Sequence, residues 1–194
     1  MELQGKRVAI LVEDNYEDLE LWYPTLRLLE AGAHVTVVGT GAADYTSTHG
    51  IVVQADMHAE QVQAEEFDAL IIPSGPTLAV REPKPALTAF VHAAIQLGKV
   101  VAAVATAGQS MVAAHVPSDA RALRFFSMQE EIVQGDGPYK DSAVIRQGNL
   151  ILARLPVDLP AFCRVIIAAL AASPGPTRVP VAAARTTSPS VTRR

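Results

Sequence analysis

The sequence predicts an α/β fold: one domain built as a three-layer α/β/α sandwich around a mainly parallel sheet. Three observations carry that expectation. Apolar, β-branched runs alternate with helical patterns through most of the chain. A length of 194 residues with 49% hydrophobic content suits one continuous core. The β-α-β-β-α-β order requires crossovers that lay helices on both faces of the sheet.

The elements follow in order. "RVAILV" (7–12) reads as a buried strand, and 17–31 as a helix in which Leu19, Trp22, Leu26 and Leu29 recur at helical spacing until Gly32 closes it. "HVTVVG" (34–39) is the next strand, and "YTSTHGIVVQAD" (45–56) alternates like a hairpin with a His-Gly turn. "FDALIIPSG" (67–75) is a third buried strand, and Pro85 to Leu97 a helix stopped by Gly98. "VVAAVATAGQSM" (100–111) is a strand that runs into a tight turn and a helix. "ALRFFS" (122–127) is strand-like, and "AVIRQGNLILA" (143–153) is a pair turning at Gln147-Gly148-Asn149. The helix over 158–172 has Asp158 as N-cap and Pro160 in its first turn. The domain is therefore placed at 1–172, followed by a Pro/Ala/Arg-rich tail at 173–194, either a flexible basic segment or an arm for a neighbouring subunit or acidic partner.

Composition excludes several roles. A formal net charge of −4 gives no cationic field for nucleic acid. The N-terminal apolar run meets Glu13 and Asp14 too soon for a secretory signal or a membrane span, so a cytoplasmic protein is expected. One cysteine, Cys163, allows neither an intrachain disulfide nor a thiolate cluster. It lies in the apolar stretch "LPAFCRVIIAAL" and reads as a core residue, the alternative being a displaced nucleophile. Trp22 and Tyr23 extend the apolar face of the first helix. The histidines show no metal-ligand spacing, and neither a metal nor a cofactor is expected.

Ligands in such folds gather at the carboxyl ends of the strands, where the turns after Val12, Ile72 and Val104 converge. The turn after Val104 has the form of a nucleophile elbow, yet its tip is Ala105-Thr106. Thr106, Ser110 and Ser74 are the nearby hydroxyls, and none has a histidine placed by the sequence to activate it.

The blocks "YEDLELWYPTLRLLEAGAHVTVVG", "EEFDALIIPSG", "GKVVAAVATAGQ", "QGNLILAR" and "PVDLPAFCRVI" resemble, in order, the ThiJ/PfpI family of the class I glutamine-amidotransferase-like superfamily, over about residues 6 to 171. The resemblance implies a flavodoxin-like sheet, a homo-oligomer (a dimer or larger) and a stress-related role. It also implies a reactive cysteine and histidine at the elbow, where this chain has Ala105 and Thr106 before a retained Gln109. Alanine supplies no thiolate and threonine no imidazole. The family's glutamate near the first strand corresponds to Glu17, read either as a pocket carboxylate or as an acid favoured by the helix dipole. The Gly-Gly turn that helps form the oxyanion hole corresponds to Ser74-Gly75, whose backbone donors need no particular side chain.

Two functions remain from the sequence. The first is a ThiJ/PfpI-like protein that has lost cysteine chemistry and keeps a pocket of Glu17, Ser74, Gly75, Ala105 and Thr106 for a small polar ligand. The second is a hydrolase, hydratase or glyoxalase-type enzyme using Glu17 as acid/base beside a backbone oxyanion hole. A transcriptional regulator is disfavoured, since no helix-turn-helix segment is attached.

Overall fold

A computed structural model describes residues 1–74, 85–104 and 143–173. The expected elbow turn, its helix, the strand over 122–127, Gly75 and all but the first residue of the tail lie outside the described residues.

Seven strands form one sheet. In chain order its members are β1 (Arg7–Leu11), β2 (His34–Gly39), β5 (Met57–His58), β6 (Ala69–Ile72), β7 (Val100–Val104), β8 (Val144–Gln147) and β9 (Leu150–Ala153). Their spatial order is β5-β2-β1-β6-β7-β9-β8, and every pairing is parallel except β8 with β9. The antiparallel pair turns where expected, with Gly148 at φ +61°, a conformation that costs a glycine little. The segment 45–56 is the expected hairpin, β3 (Asp44–Thr46) against β4 (Val52–Gln54), standing apart from the main sheet.

Alternation along the central strands sorts the core into two. Val8, Ile10, Ala69, Ile71, Ala102, Val104 and Ile151 point to the face covered by α1 (Asp18–Glu30) and α3 (Leu159–Ala172). Ala9, Leu11, Leu70, Ile72, Val101, Ala103 and Leu152 point to the face covered by α2 (Pro85–Gln96), with Leu87, Phe90, Val91 and Ile95 above them. Because both faces are covered, the central strands are apolar throughout. No helix among the described residues is long and apolar enough to cross a membrane.

Three local readings are corrected or refined. The stripe Leu19, Leu26 and Leu29 does not face the core: these side chains are 56%, 61% and 48% exposed. The buried stripe is Glu20, Leu21, Pro24, Thr25 and Leu28, offset around the helix, while Trp22 and Tyr23 pack against the core's margin. Asp158 is the N-cap residue of α3, as read, but its side chain makes no capping hydrogen bond to that helix; its carboxylate accepts the Leu155 N–H (3.3 Å) and closes the short 3-10 turn Pro156–Asp158. Cys163 is fully buried, as read, and burial pushes its thiol up to about 12.

At the carboxyl end of β2, a Cβ on Gly39 would lie 2.4 Å from the Tyr45 ring, so only glycine fits there. The Tyr45 hydroxyl accepts three consecutive N–H groups, from Thr40 (2.7 Å), Gly41 (3.0 Å) and Ala42 (3.0 Å).

Candidate functional site

The chain leaves β1 for β2 on one side, and β6 pairs with β1 on the other, so the carboxyl ends of β1 and β6 flank the point where strand order reverses. The turn from β1 to α1 is tight. Asn15 takes φ +60°, a left-handed conformation that asparagine tolerates better than most residues. Its N–H donates to the Thr46 carbonyl (2.7 Å), and the Thr46 N–H donates to Asp14 Oδ1 (3.0 Å). Tyr16, buried, donates its hydroxyl to the Ile51 carbonyl (3.0 Å). The hairpin is thereby docked over the start of α1.

Glu17 is the N-cap of α1 and half-buried. Its N–H donates to the Ser74 carbonyl (3.2 Å), so the structure does bring Glu17 and Ser74 together at the ends of β1 and β6. The remaining pocket residues expected from the sequence, Gly75, Ala105 and Thr106, lie outside the described residues.

The sequence reading missed Glu20. One turn beyond Glu17 and only 3% exposed, Glu20 accepts the Ser74 N–H on Oε2 at 2.6 Å. Glu17, Ser74 and Glu20 thus tie the first turn of α1 to the end of β6 by hydrogen bonds in both directions. Burial raises the Glu20 carboxyl above its ordinary value; the Ser74 donors lower it in part, and the charge of Glu17 adds to the rise. A buried carboxyl so placed can accept hydrogen bonds when ionised and donate one when protonated. Its signal in the sequence is position: it lies on the same helical face as Leu21, Pro24 and Leu28, a stripe that became visible only once the inward face was known.

A second contact is also new. His49, at the hairpin tip, and Asp18 meet at 2.5 Å between Nδ1 and Oδ2. Asp18 raises the His49 imidazole above its ordinary value, first by the hydrogen bond and then by its charge. The residues are 31 apart in sequence, and no periodic pattern links them.

The DJ-1/PfpI family model matches residues 6–169. A deglycase of Thermococcus kodakarensis is 29% identical over 161 residues, 83% of this chain and 97% of that protein. General stress protein 18 of Bacillus subtilis is 27% identical over 171 residues, 86% of this chain and 98% of that protein. Among solved structures, a two-domain protein from Anabaena variabilis with DJ-1/ThiJ/PfpI-like and ferritin-like domains superposes with a TM-score of 0.69 at 31% identity, covering 91% of this chain. The match spans about half of that structure, 52% of its length. Drosophila melanogaster DJ-1beta shares the fold, with a TM-score of 0.70 at 21% identity over 88% of this chain and 92% of that one.

Proposed function

The chain belongs to the DJ-1/PfpI family, and from that premise we propose that it is a member without cysteine chemistry, which binds a small polar ligand in the crevice between the ends of β1 and β6. The observation that carries this reading is a mismatch within one crevice. At the ends of β1 and β6 the Glu20 carboxylate and the Glu17 N–H hold Ser74 by hydrogen bonds, while the sequence after Val104 reads Ala105-Thr106, where the family resemblance calls for cysteine and histidine. A methyl group and a hydroxyl without a base supply neither a thiolate nor its partner. The proposed pocket is Glu17, Ser74, Gly75, Ala105 and Thr106, with Glu20 beneath it. The relatives named deglycase and general stress protein suggest small carbonyl compounds or their adducts as ligands and a stress-related setting.

The protein works as a homo-oligomer in this reading. The exposed leucines of α1, Leu19, Leu26 and Leu29, form an apolar stripe that a second copy would cover.

A second reading, an enzyme that works by proton transfer alone, is favoured by the buried Glu20 carboxylate at Ser74, one turn beyond Glu17. One set of assays separates the two. Native protein, Glu17→Gln, Glu20→Gln and the double variant Ala105→Cys/Thr106→His are screened for thermal shifts with small aldehydes, 2-oxo acids and amides, and for turnover of the compounds that bind. The binding reading expects a shift in the native protein that is lost in Glu17→Gln, no native turnover, and thiol-dependent turnover only in the double variant. Native turnover abolished by Glu17→Gln would overturn it in favour of the enzyme.

A further inference from the structure

We propose that Glu17, Asp18 and His49 form a three-ligand site for a divalent transition-metal ion of the zinc type, assembled where the β3–β4 hairpin docks on the start of α1. One ligand atom from each residue lies within 4.8 Å of the other two. The Asp18 side chain is 12% exposed; its Oδ2 meets His49 Nδ1, and its Oδ1 is turned away from solvent. The Ser47 hydroxyl accepts the N–H groups of His49 (3.2 Å) and Ile51 (2.9 Å) and so holds the tip in shape beside Asp18. A carboxylate oxygen turned away from solvent is costly alone and well suited to a cation.

The backbone fixes what converges. Thr48 donates both its N–H (3.0 Å) and its hydroxyl (3.4 Å) to the Tyr16 carbonyl, which sets the tip that carries His49 directly against the helix start that carries Glu17 and Asp18. The donor set is one imidazole nitrogen and two carboxylate oxygens. Such a set suits zinc, cobalt(II) or manganese(II); calcium and magnesium prefer oxygen alone, and copper(I) prefers sulfur. Two carboxylates balance the charge of a dication. Three protein ligands leave a fourth position open, here on the solvent side where the His49 side chain is 68% exposed. In a tetrahedral zinc site, bonds of about 2.0–2.2 Å set the ligand atoms roughly 3.3 Å apart. The Asp18–His49 pair would open by less than an ångström as the metal replaces the shared proton, and Glu17 would close in by a little more.

This inference does not depend on the loss of cysteine chemistry, because binding is read directly. The full-length chain, stripped with chelator, is titrated with zinc chloride by calorimetry and with cobalt(II) by visible absorption. Expected are one zinc per chain and a cobalt spectrum without thiolate charge transfer. His49→Gln, which keeps a hydrogen bond to Asp18 but is a poor ligand, should weaken binding by at least about tenfold, as no less is expected of a direct ligand than of a group behind one. Glu17→Gln leaves the hydrogen bonds of the hairpin tip to Tyr16 and Asp18 in place and should weaken binding to a similar degree, which keeps the inference testable if the His49 variant loosens the tip. His34→Gln and His58→Gln should bind as the native chain does. The inference fails if one-equivalent binding is absent, or if it persists in both the His49 and Glu17 variants.

Discussion

On α1, the face turned to the sheet carries Glu20, Leu21, Pro24, Thr25 and Leu28, whereas the face turned to solvent carries Leu19, Leu26 and Leu29. An acid is inside and three leucines are outside, the reverse of what burial preferences alone would arrange. The inward acid is retained because it has a partner: Glu20 holds the Ser74 N–H at the end of β6. A helix face that contradicts hydrophobic sorting thus answers a second demand, here the hydrogen bond that ties α1 to the end of β6.

The largest effect expected from breaking this comparison is on the inward side. Leu28 is fully buried, and Leu28→Ala should cost about 2–5 kcal/mol in urea unfolding, distinctly more than Leu26→Ala, whose side chain its own chain leaves exposed. Equal losses from the two would show that the outward leucines are packed after all.

Next is the outward face alone. If the proposed homo-oligomer uses this face, Leu19→Asp combined with Leu26→Asp should leave far-UV circular dichroism unchanged and bring the mass by light scattering down to that of one chain. An unchanged mass would remove α1 from the interface.

Glu20 sharpens the contrast through pH. Its carboxyl is raised in the folded chain, so the folded state keeps a proton over a range in which the unfolded state has lost it. Stability from this residue is therefore greatest below the unfolded value and falls as pH rises through the folded one. Glu20→Gln retains an oxygen for the Ser74 N–H and should remove that fall, raising the melting temperature at pH 8. At pH 4 the variant and native chains should melt together; a variant that melts lower at both values would mean that the ionised carboxylate is needed.

The smallest effect concerns Cys163, on the inward side of α3. With its thiol pushed up to about 12 and no solvent access, it should react with a disulfide reagent at neutral pH only after unfolding. Fast labelling of the native chain would mean that the α1/α3 layer opens.

The layers were legible in the sequence because β1, β6 and β7 are covered on both faces and therefore read as unbroken apolar runs. Two-residue β5 was not legible, since Met57–His58 is too short to show alternation. The orientation of α1 was misread for a clear reason: Leu19, Leu26 and Leu29 have the same helical spacing as Leu21 and Leu28, and periodicity alone does not say which stripe meets the sheet. In the site, Glu17 and Ser74 were anticipated through family resemblance. Glu20 was masked by its helix start, where acids are common for the dipole alone. The Asp18–His49 contact depends on how the hairpin folds back, which no local pattern encodes.

Gly39 has a consequence that reaches past packing. Because it has no side chain, the Tyr45 ring can lie across the end of β2 and place its oxygen on three successive amides. Amides so arranged form a concave nest of the kind that holds phosphate or carboxylate. Here the Tyr45 hydroxyl occupies that nest, so an anionic ligand arriving at the carboxyl edge of the sheet meets amides at the end of β2 that are already taken. A glycine that touches no ligand therefore helps decide where ligands can stop.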